Sequence, residues 1–295
     1  MTATLLEGRP LAKEIEAEVT EEAAGLRAEG ITPNLTVVLV GEDPASGVYV
    51  SSKEKACKRV GIDSTTLRLP ASISQGDLLG LVAELNRNRA VHGVLVQLPL
   101  PPAIDPNAVI CAVDPAKDVD GFAPENMGKL LLGIPYTVAC TPAGIVRLLE
   151  HYGVPLEGAD VVIIGRSNIV GKPLASLLVQ KTEGRNCTVT VCHSGTADIP
   201  RHTAGADIVV AAMGSPGFLK AEMVRTGCAV VDVGTTRVED KSLKKGYRLV
   251  GDADFDALVE KASYITPVPG GVGPLTVGML LKNTLKVARS CGCKA

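Results

Sequence analysis

The sequence predicts an α/β protein of two α/β domains, the second a Rossmann-like dinucleotide-binding domain, with the C-terminal helix returning to the first domain. Three observations predict it. Short apolar runs alternate with helix-length segments along most of the chain, the pattern of βαβ units. Hydrophobic residues make up 46% of the 295, yet aromatics are only 3% and tryptophan is absent. The cores must therefore be aliphatic, as in parallel sheets covered by helices. Finally, the apolar run Val161-Val162-Ile163-Ile164 stops abruptly in Gly165-Arg166-Ser167-Asn168-Ile169-Val170-Gly171. A buried strand running into a glycine-bounded turn and a helix aims backbone N–H groups at an anionic ligand.

The elements follow in order. Residues 11–28 read as an amphipathic helix that Gly30 stops. Residues 35–41 are a buried strand. A turn rich in breakers, Gly41 to Ser46, leads to a helix at 46–60 closed by Gly61. A strand at 64–69, a helix at 74–89 and a buried strand at 93–97 complete a β-α-β-α-β series. Residues 98–106 hold Pro99, Pro101, Pro102 and Pro106 and must form an extended, stiff loop. Asp118-Val119-Asp120-Gly121-Phe122 is a second loop. Thr141 caps a helix that Pro142 opens and that runs to Tyr152. Strands at 160–165, 188–192, 207–212 and 229–233, with a helix at 172–181, form a second series. Breakers crowd residues 266–274, and a last helix spans 276–290. That helix has no strand of its own, so it is expected to pack on the first domain. The division is then 1–141 with 266–295, and 142–265. The active site is expected in the cleft between them.

Composition excludes several function classes. The formal net charge is −2, from 30 basic and 32 acidic residues. No bulk basicity advertises nucleic acid or an anionic membrane. No segment reaches the roughly 18 apolar residues that span a bilayer. Residues 1–10 lack the long apolar run of a secretory signal, so a cytoplasmic location is expected. Eight scattered cysteines without a CxxC pair read as small buried hydrophobes in a reducing compartment. Cys291-Gly292-Cys293 has the spacing of a metal or redox pair but lacks partner ligands. The four histidines have no metal-ligand spacing, so no metal site is expected.

The turn after residue 164 departs from the usual dinucleotide fingerprint, because Ser167 stands where a second glycine belongs. Arg166 is permanently charged and forks onto phosphate oxygens. The next strand ends in His193-Ser194, where an NAD-binding domain would carry an acid for the ribose 2′-hydroxyl. Ser194 can donate to a 2′-phosphate and Arg166 can neutralise it. The expected cofactor is therefore NADP rather than NAD.

Elsewhere, Tyr49 and Lys53 stand four apart on a helix and share a face. A desolvated lysine there can shuttle protons near neutrality, although the commoner meaning of this spacing is a solvated lysine above a partly buried tyrosine. Gln97 leaves the C-terminal end of a buried strand, where open α/β sheets bind ligands. Its carboxamide can hold a lysine or a water, or merely cap loop backbone. Asp120 can pair its two oxygens with a ring N–H and an exocyclic amine, as an amino-pyrimidine edge presents them; a solvated loop aspartate is the plainer reading. Asp118, two residues before it, is expected to serve structure. Residues 267–274, Pro-Val-Pro-Gly-Gly-Val-Gly-Pro, are either a hinge or a place where backbone approaches a ligand.

Taken together these motifs resemble one family. Asp43-Pro-Ala-Ser46 with Tyr49 and Lys53, Val96-Gln-Leu-Pro-Leu-Pro101, Lys117-Asp-Val-Asp-Gly121, Cys140-Thr-Pro142, Gly165-Arg-Ser-Asn-Ile-Val-Gly171 and Tyr264-Ile-Thr-Pro-Val-Pro-Gly-Gly-Val-Gly-Pro274 are collinear over almost the whole chain. Their combination resembles the bifunctional methylenetetrahydrofolate dehydrogenase/methenyltetrahydrofolate cyclohydrolase family. The resemblance implies NADP-linked oxidation of 5,10-methylenetetrahydrofolate and hydrolysis of the methenyl product to 10-formyltetrahydrofolate in one cleft. It implies that residues 1–141 with 266–295 bind folate and residues 142–265 bind NADP. By similarity Lys53 is the acid/base group, Tyr49 lies against the folate, Gln97 orients Lys53, and Asp120 holds the pterin. Leu98, Pro269 and Gly270 line the folate site. Gly165, Arg166, Ser167 and Ser194 hold NADP, with Thr235 near the nicotinamide. Members often carry isoleucine where this chain has Thr235, so a backbone contact is the more durable expectation there. A homodimer is also implied. The rivals are a dehydrogenase that prefers NAD or lacks hydrolysis, and a nucleotide-binding sensor with no turnover.

Overall fold

The structure, a computed structural model, describes residues 2–182, 184–243 and 246–292. The chain divides into two compact units, one of residues 14–140 with those from 277 on, the other of the residues up to 13 with 141–276.

In the first unit a parallel sheet of β2 (Asn34–Val40), β3 (Asp63–Leu69) and β4 (Gly93–Val96) has the order β3-β2-β4. The chain steps from β2 to one side and then to the other, so the order reverses at β2, the kind of point where open sheets bind ligands. α1 (Gly8–Ala28) precedes the sheet, and α2 (Pro44–Val60) and α3 (Gln75–Arg87) connect its strands. Asp43 caps α2 by accepting from the Ser46 N–H at 2.7 Å, and Gly61, at φ +77°, ends it. Val38, Val40, Leu78, Val82, Val94 and Val96 form an aliphatic core. The proline-rich loop ends in α4 (Pro106–Ala112), and α5 (Pro124–Leu131) follows the Asp118 loop. Neither helix was legible, because each has only about two turns and a proline at its start. The part of α10 (Gly273–Gly292) from residue 277 returns to this unit. There Gly278 lies so close to Ile15 of α1 that a Cβ would stand 2.9 Å from its Cγ2.

In the second unit six strands run parallel: β1 (Thr4–Leu5), β5 (Asp160–Ile164), β6 (Thr188–Cys192), β7 (Ile208–Ala211), β8 (Ala229–Asp232) and β11 (Tyr264–Ile265), in the order β1-β11-β8-β7-β5-β6. Residues up to 13 belong here because β1 pairs with β11, a long-range contact that residues 1–10 do not announce. α6 (Cys140–His151) starts two residues before the expected Thr141–Pro142 opening. Proline fits anywhere in a first turn, whose N–H groups lack partners anyway, so it marks the turn rather than the residue. α7 (Gly171–Leu178) stops three residues short of the expected end. α8 (Ile199–Thr203), α9 (Phe255–Leu258) and an antiparallel hairpin of β9 (Thr236–Glu239) and β10 (Tyr247–Val250) complete the unit.

Cys57, Cys140, Cys187, Cys192 and Cys228 are buried, as expected of small hydrophobes, but Cys111 is exposed on the outer face of α4. Burial pushes the Cys57 thiol up to about 11 and the Cys228 thiol up to about 12, so neither is a ready thiolate. Cys293 lies outside the described residues. Among the described residues no helix is long and apolar enough to cross a membrane.

Candidate active site

The first unit gathers three of the sequence-predicted residues. α2 presents Lys53, and its Nζ donates to Gln97 Oε1 at 2.9 Å. Gln97 sits just beyond β4, where its N–H still pairs with the Val38 carbonyl at 2.8 Å. Its own Nε2 donates to the Leu98 carbonyl at 2.6 Å, which turns the amide oxygen toward the lysine. Both cis peptides among the described residues, Leu98–Pro99 and Val268–Pro269, lie in the two proline-rich loops marked in the sequence.

Asp120 reaches the same place because its loop is pinned on every side. Val94 of β4 donates to the Lys117 carbonyl at 2.8 Å, which docks the loop on the sheet edge. Asp118 is buried, and its oxygens accept from the N–H groups of Gly121 (2.9 Å) and Ala123 (2.8 Å) and from Asn126 Nδ2 (2.9 Å). It serves structure, as its sequence position suggested. Gly121 has φ +72°, and a Cβ there would stand 2.5 Å from the Val138 backbone, so only glycine fits. From α10, Asn283 Nδ2 donates to the carbonyls of Val119 (2.8 Å) and Val138 (2.9 Å). Asn283 escaped sequence reasoning, because nothing local marks it.

Desolvation pushes the Asp120 carboxyl up to about 6; the Lys53 charge works against that rise and the Asp118 charge adds to it. Near neutrality Asp120 is ionised and offers only acceptors. Tyr49, one turn before Lys53, is 55% exposed while Lys53 is part-buried. That reverses the plain reading of a partly buried tyrosine beneath a solvated lysine. A half-free aromatic ring next to an amine, a fixed carboxamide and an isolated carboxylate can stack a planar ligand and move protons on it.

The second unit gathers the cofactor residues. A cavity of about 720 Å³ opens at the C-terminal ends of β5, β6 and β7, lined by Gly165, Arg166, Ser167, His193, Ser194 and Met213 among others. Gly165 has φ +138°, and a Cβ there would lie 2.2 Å from the Ala212 carbonyl oxygen. A Cβ on Gly171 would lie 2.0 Å from the Gly165 oxygen, so the two glycines let the turn fold flat against the strand ends. Ser167 Oγ accepts from the Val170 N–H at 3.1 Å and so shapes the turn besides facing the cavity. β6 runs into His193 and Ser194 rather than an acid, and the Gly195 N–H donates to His193 Nδ1 at 3.0 Å. A glycine turn with an arginine and a serine at its mouth fits a nucleotide with an additional phosphate. His193 and Met213 were missed as lining residues; each stands at or just past a strand end, which is the signal that finds them.

Thr235 is exposed between β8 and β9. Pro269 and Gly270 lie in the loop before α10, and the Gly270 carbonyl accepts from the Gly8 N–H at 2.9 Å. Both belong to the unit of the cofactor cavity, not to that of Lys53.

Two family models match the chain. The tetrahydrofolate dehydrogenase/cyclohydrolase catalytic domain matches residues 6–120, and the NAD(P)-binding domain of the same family matches residues 139–291. The chain belongs to the tetrahydrofolate dehydrogenase/cyclohydrolase family. A bifunctional protein FolD of Chlorobium phaeobacteroides is 51% identical over 97% of this chain and 98% of its own length. The crystal structure of the bifunctional FolD methylenetetrahydrofolate dehydrogenase/cyclohydrolase of Campylobacter jejuni is 46% identical, covers 98% of this chain and 99% of its own, and superimposes with a TM-score of 0.91. The Trypanosoma brucei FolD structure, complexed with NADP cofactor and an inhibitor, is 44% identical, covers all of both chains and gives 0.93. Both halves of the family are therefore present, in family order.

Proposed function

We infer that the Lys53–Gln97–Asp120 group is the folate-handling centre of this enzyme and that the cavity at Gly165–Ser167 takes its cofactor. The protein is an NADP-dependent methylenetetrahydrofolate dehydrogenase and methenyltetrahydrofolate cyclohydrolase. It oxidises 5,10-methylenetetrahydrofolate to the 5,10-methenyl cation and hydrolyses that cation to 10-formyltetrahydrofolate. The observation that carries the residue assignment is the 2.9 Å hydrogen bond from Lys53 to Gln97 in the unit that also holds Asp120.

Gln97, fixed by Leu98, takes one N–H of Lys53 and so directs the rest of the amino group. In its neutral form Lys53 keeps a lone pair for the proton of the water that adds to the one-carbon bridge. It returns that proton to N5 as the carbon–N5 bond breaks, while the carbinol hydroxyl releases its own proton to solvent and becomes the carbonyl of the formyl group left on N10. A neutral amine also tolerates the cationic substrate better than an ammonium does. Asp120 accepts from the pterin ring N–H and the exocyclic amine, and Tyr49 covers the ring. Leu98, Pro269 and Gly270 complete the folate contacts.

When bound, NADP+ supplies the hydride acceptor. Backbone at Gly165 and Ser167 holds its phosphates, Arg166 and Ser194 take the 2′-phosphate, and Thr235 contributes backbone near the nicotinamide. The reading extends to a cytoplasmic homodimer of residues 1–141 with 266–295 as folate domain and 142–265 as NADP domain, with tetrahydrofolate derivatives and no nucleic acid as partners. Family membership supports the dimer, and sedimentation tests it.

Initial rates of NADP+ and NAD+ reduction with methylenetetrahydrofolate, and of methenyltetrahydrofolate loss without cofactor, test the whole reading. Strong preference for NADP+ together with hydrolysis is expected. Equal efficiency with NAD+ would overturn the roles of Arg166 and Ser194.

A further inference from the structure

Behind the cofactor cavity stands a pair of buried carboxylates that the chemistry above does not use. Asp252 follows β10 and is completely buried. Its Oδ2 accepts from the N–H groups of Met213 (2.7 Å) and Gly214 (2.8 Å). These residues follow β7, and Met213 forms part of the cavity wall. Asp252 is itself held from behind. Its N–H donates to Asp232 Oδ1 at 2.9 Å, the Ala253 N–H donates to Asp232 Oδ2 at 2.8 Å, and the Gly234 N–H donates to Asp232 Oδ1 at 2.9 Å.

Two glycines make the space for this arrangement. A Cβ on Gly251 would fall 1.8 Å from Asp232 Oδ2, and one on Gly234 would fall 2.4 Å from Asp252 Oδ1. The arrangement is poor for stability alone. Asp252 Oδ1 is buried with no hydrogen-bond partner among the described residues, and two carboxylates lie close together out of water. Locally unfavourable chemistry that a fold retains marks a functional constraint. Backbone leaving a strand end has N–H groups with no ladder partner, and their direction sets the shape of whatever cavity they border. Here a carboxylate claims both from the side away from the ligand.

We propose that Asp252 is a positioning residue for the dehydrogenase half-reaction: it fixes the Met213–Gly214 backbone as a rigid wall of the nucleotide cavity, and Asp232 holds it in place. The proposal rests on the reading of that cavity as the NADP site. Hydrolysis of the methenyl compound transfers no hydride, so it supplies an internal control within the same protein.

The test compares Asp252→Ala and Asp252→Asn with the wild type, measuring the Kd for NADP+ and both activities. Asp252→Ala should weaken NADP+ binding about tenfold and leave cyclohydrolase kcat and KM unchanged. Asp252→Asn should restore binding, because an amide oxygen still accepts from both N–H groups. Wild-type affinity in the alanine variant, an equal loss of both activities, or an asparagine variant as weak as the alanine one would each overturn the proposal. If the alanine variant does not fold, Asp252→Ser replaces it, its oxygen being too short to reach Met213. Amide exchange on the wild type gives a check free of mutation: the Met213 and Gly214 amides should be protected, and rapid exchange at both would refute the contact. Arg166→Ala, run in parallel, separates the two readings. If it leaves NADP+ affinity intact, the nucleotide binds elsewhere and the cavity assignment fails, whatever Asp252 does.

Discussion

The Lys53 group and the Gly165 cavity both sit where parallel strands end, yet they use ionisable side chains in opposite ways. On the proposed reading the charged groups of the first, Lys53 and Asp120, face the ligand, and the buried Asp118 and Asn283 hold the Asp120 loop. In the second, most carboxylate is hidden. Asp232 and Asp252 are buried and accept from peptide N–H groups, while the cavity wall offers glycine backbone and Arg166; Asp198, which also lines it, accepts from the Arg201 N–H as the cap of α8. The difference follows from what each ligand needs. A folate undergoing proton transfer needs groups that change protonation state. A dinucleotide needs fixed dipoles and a permanent cation.

The sharpest way to break this comparison is Lys53→Met. If side-chain proton transfer resides in the first region alone, cyclohydrolase activity should fall by about 10²–10⁴-fold, the usual worth of a positioned acid/base group. NADP+ affinity should stay at its wild-type value. Full hydrolysis in this variant would remove Lys53 from its role, and lost NADP+ binding would show that the two regions are not separable.

A smaller effect is expected from Arg166→Ala, which probes the second region. Charge-assisted hydrogen bonds contribute about 1.5–3 kcal/mol each, so the preference for NADP+ over NAD+ should drop about 10–100-fold. Rates with NAD+ should barely change. A variant that loses both cofactors equally would mean that Arg166 supports the turn rather than reading the 2′-phosphate.

How far these regions were legible from sequence differs in the same sense. Gln97, Lys53 and the Gly165 turn announce themselves locally, by a polar residue at the end of an apolar strand, by helical spacing, and by glycines bounding a charged turn. Three strands of the first sheet and four of the second also follow from their apolar runs. What stayed hidden depends on distant contacts. β1 and β11 have two residues each and are defined by their ladder partners, β11 for β1 and both β1 and β8 for β11. The β9–β10 hairpin has strands of only four residues, each partly exposed, too short for an apolar run to mark them. Asp252 stands in a Gly-Asp-Ala stretch that reads as ordinary loop, and its meaning arises from Met213, 39 residues earlier. Residues at strand ends and on helix faces keep a local signature; Asn283 and Asp252, whose backbone partners are distant in sequence, do not.

The gentlest test is pH, because each region has one carboxyl raised to about 6, both mainly by desolvation: Asp120 in the first and Asp232 in the second. Below that value protonated Asp120 no longer accepts from both pterin donors, so the KM for folate should rise about tenfold between pH 7 and pH 5 in both activities. Asp232 adds a dependence to the dehydrogenase alone, so its profile should fall more steeply than that of hydrolysis. Stability should move in the contrary direction. A carboxyl raised from 3.8 in the unfolded chain to about 6 in the fold binds more protons when folded. Its stabilising contribution is therefore complete below about pH 4 and is lost as pH rises through 6. Asp120→Asn abolishes that linkage, and the variant should be about 1–3 kcal/mol more stable than the wild type at pH 7, with the gap closing toward pH 4. Urea titrations at the two pH values measure it. An unchanged gap would mean that Asp120 is solvated, and the isolation that suits it to grip a pterin would be gone.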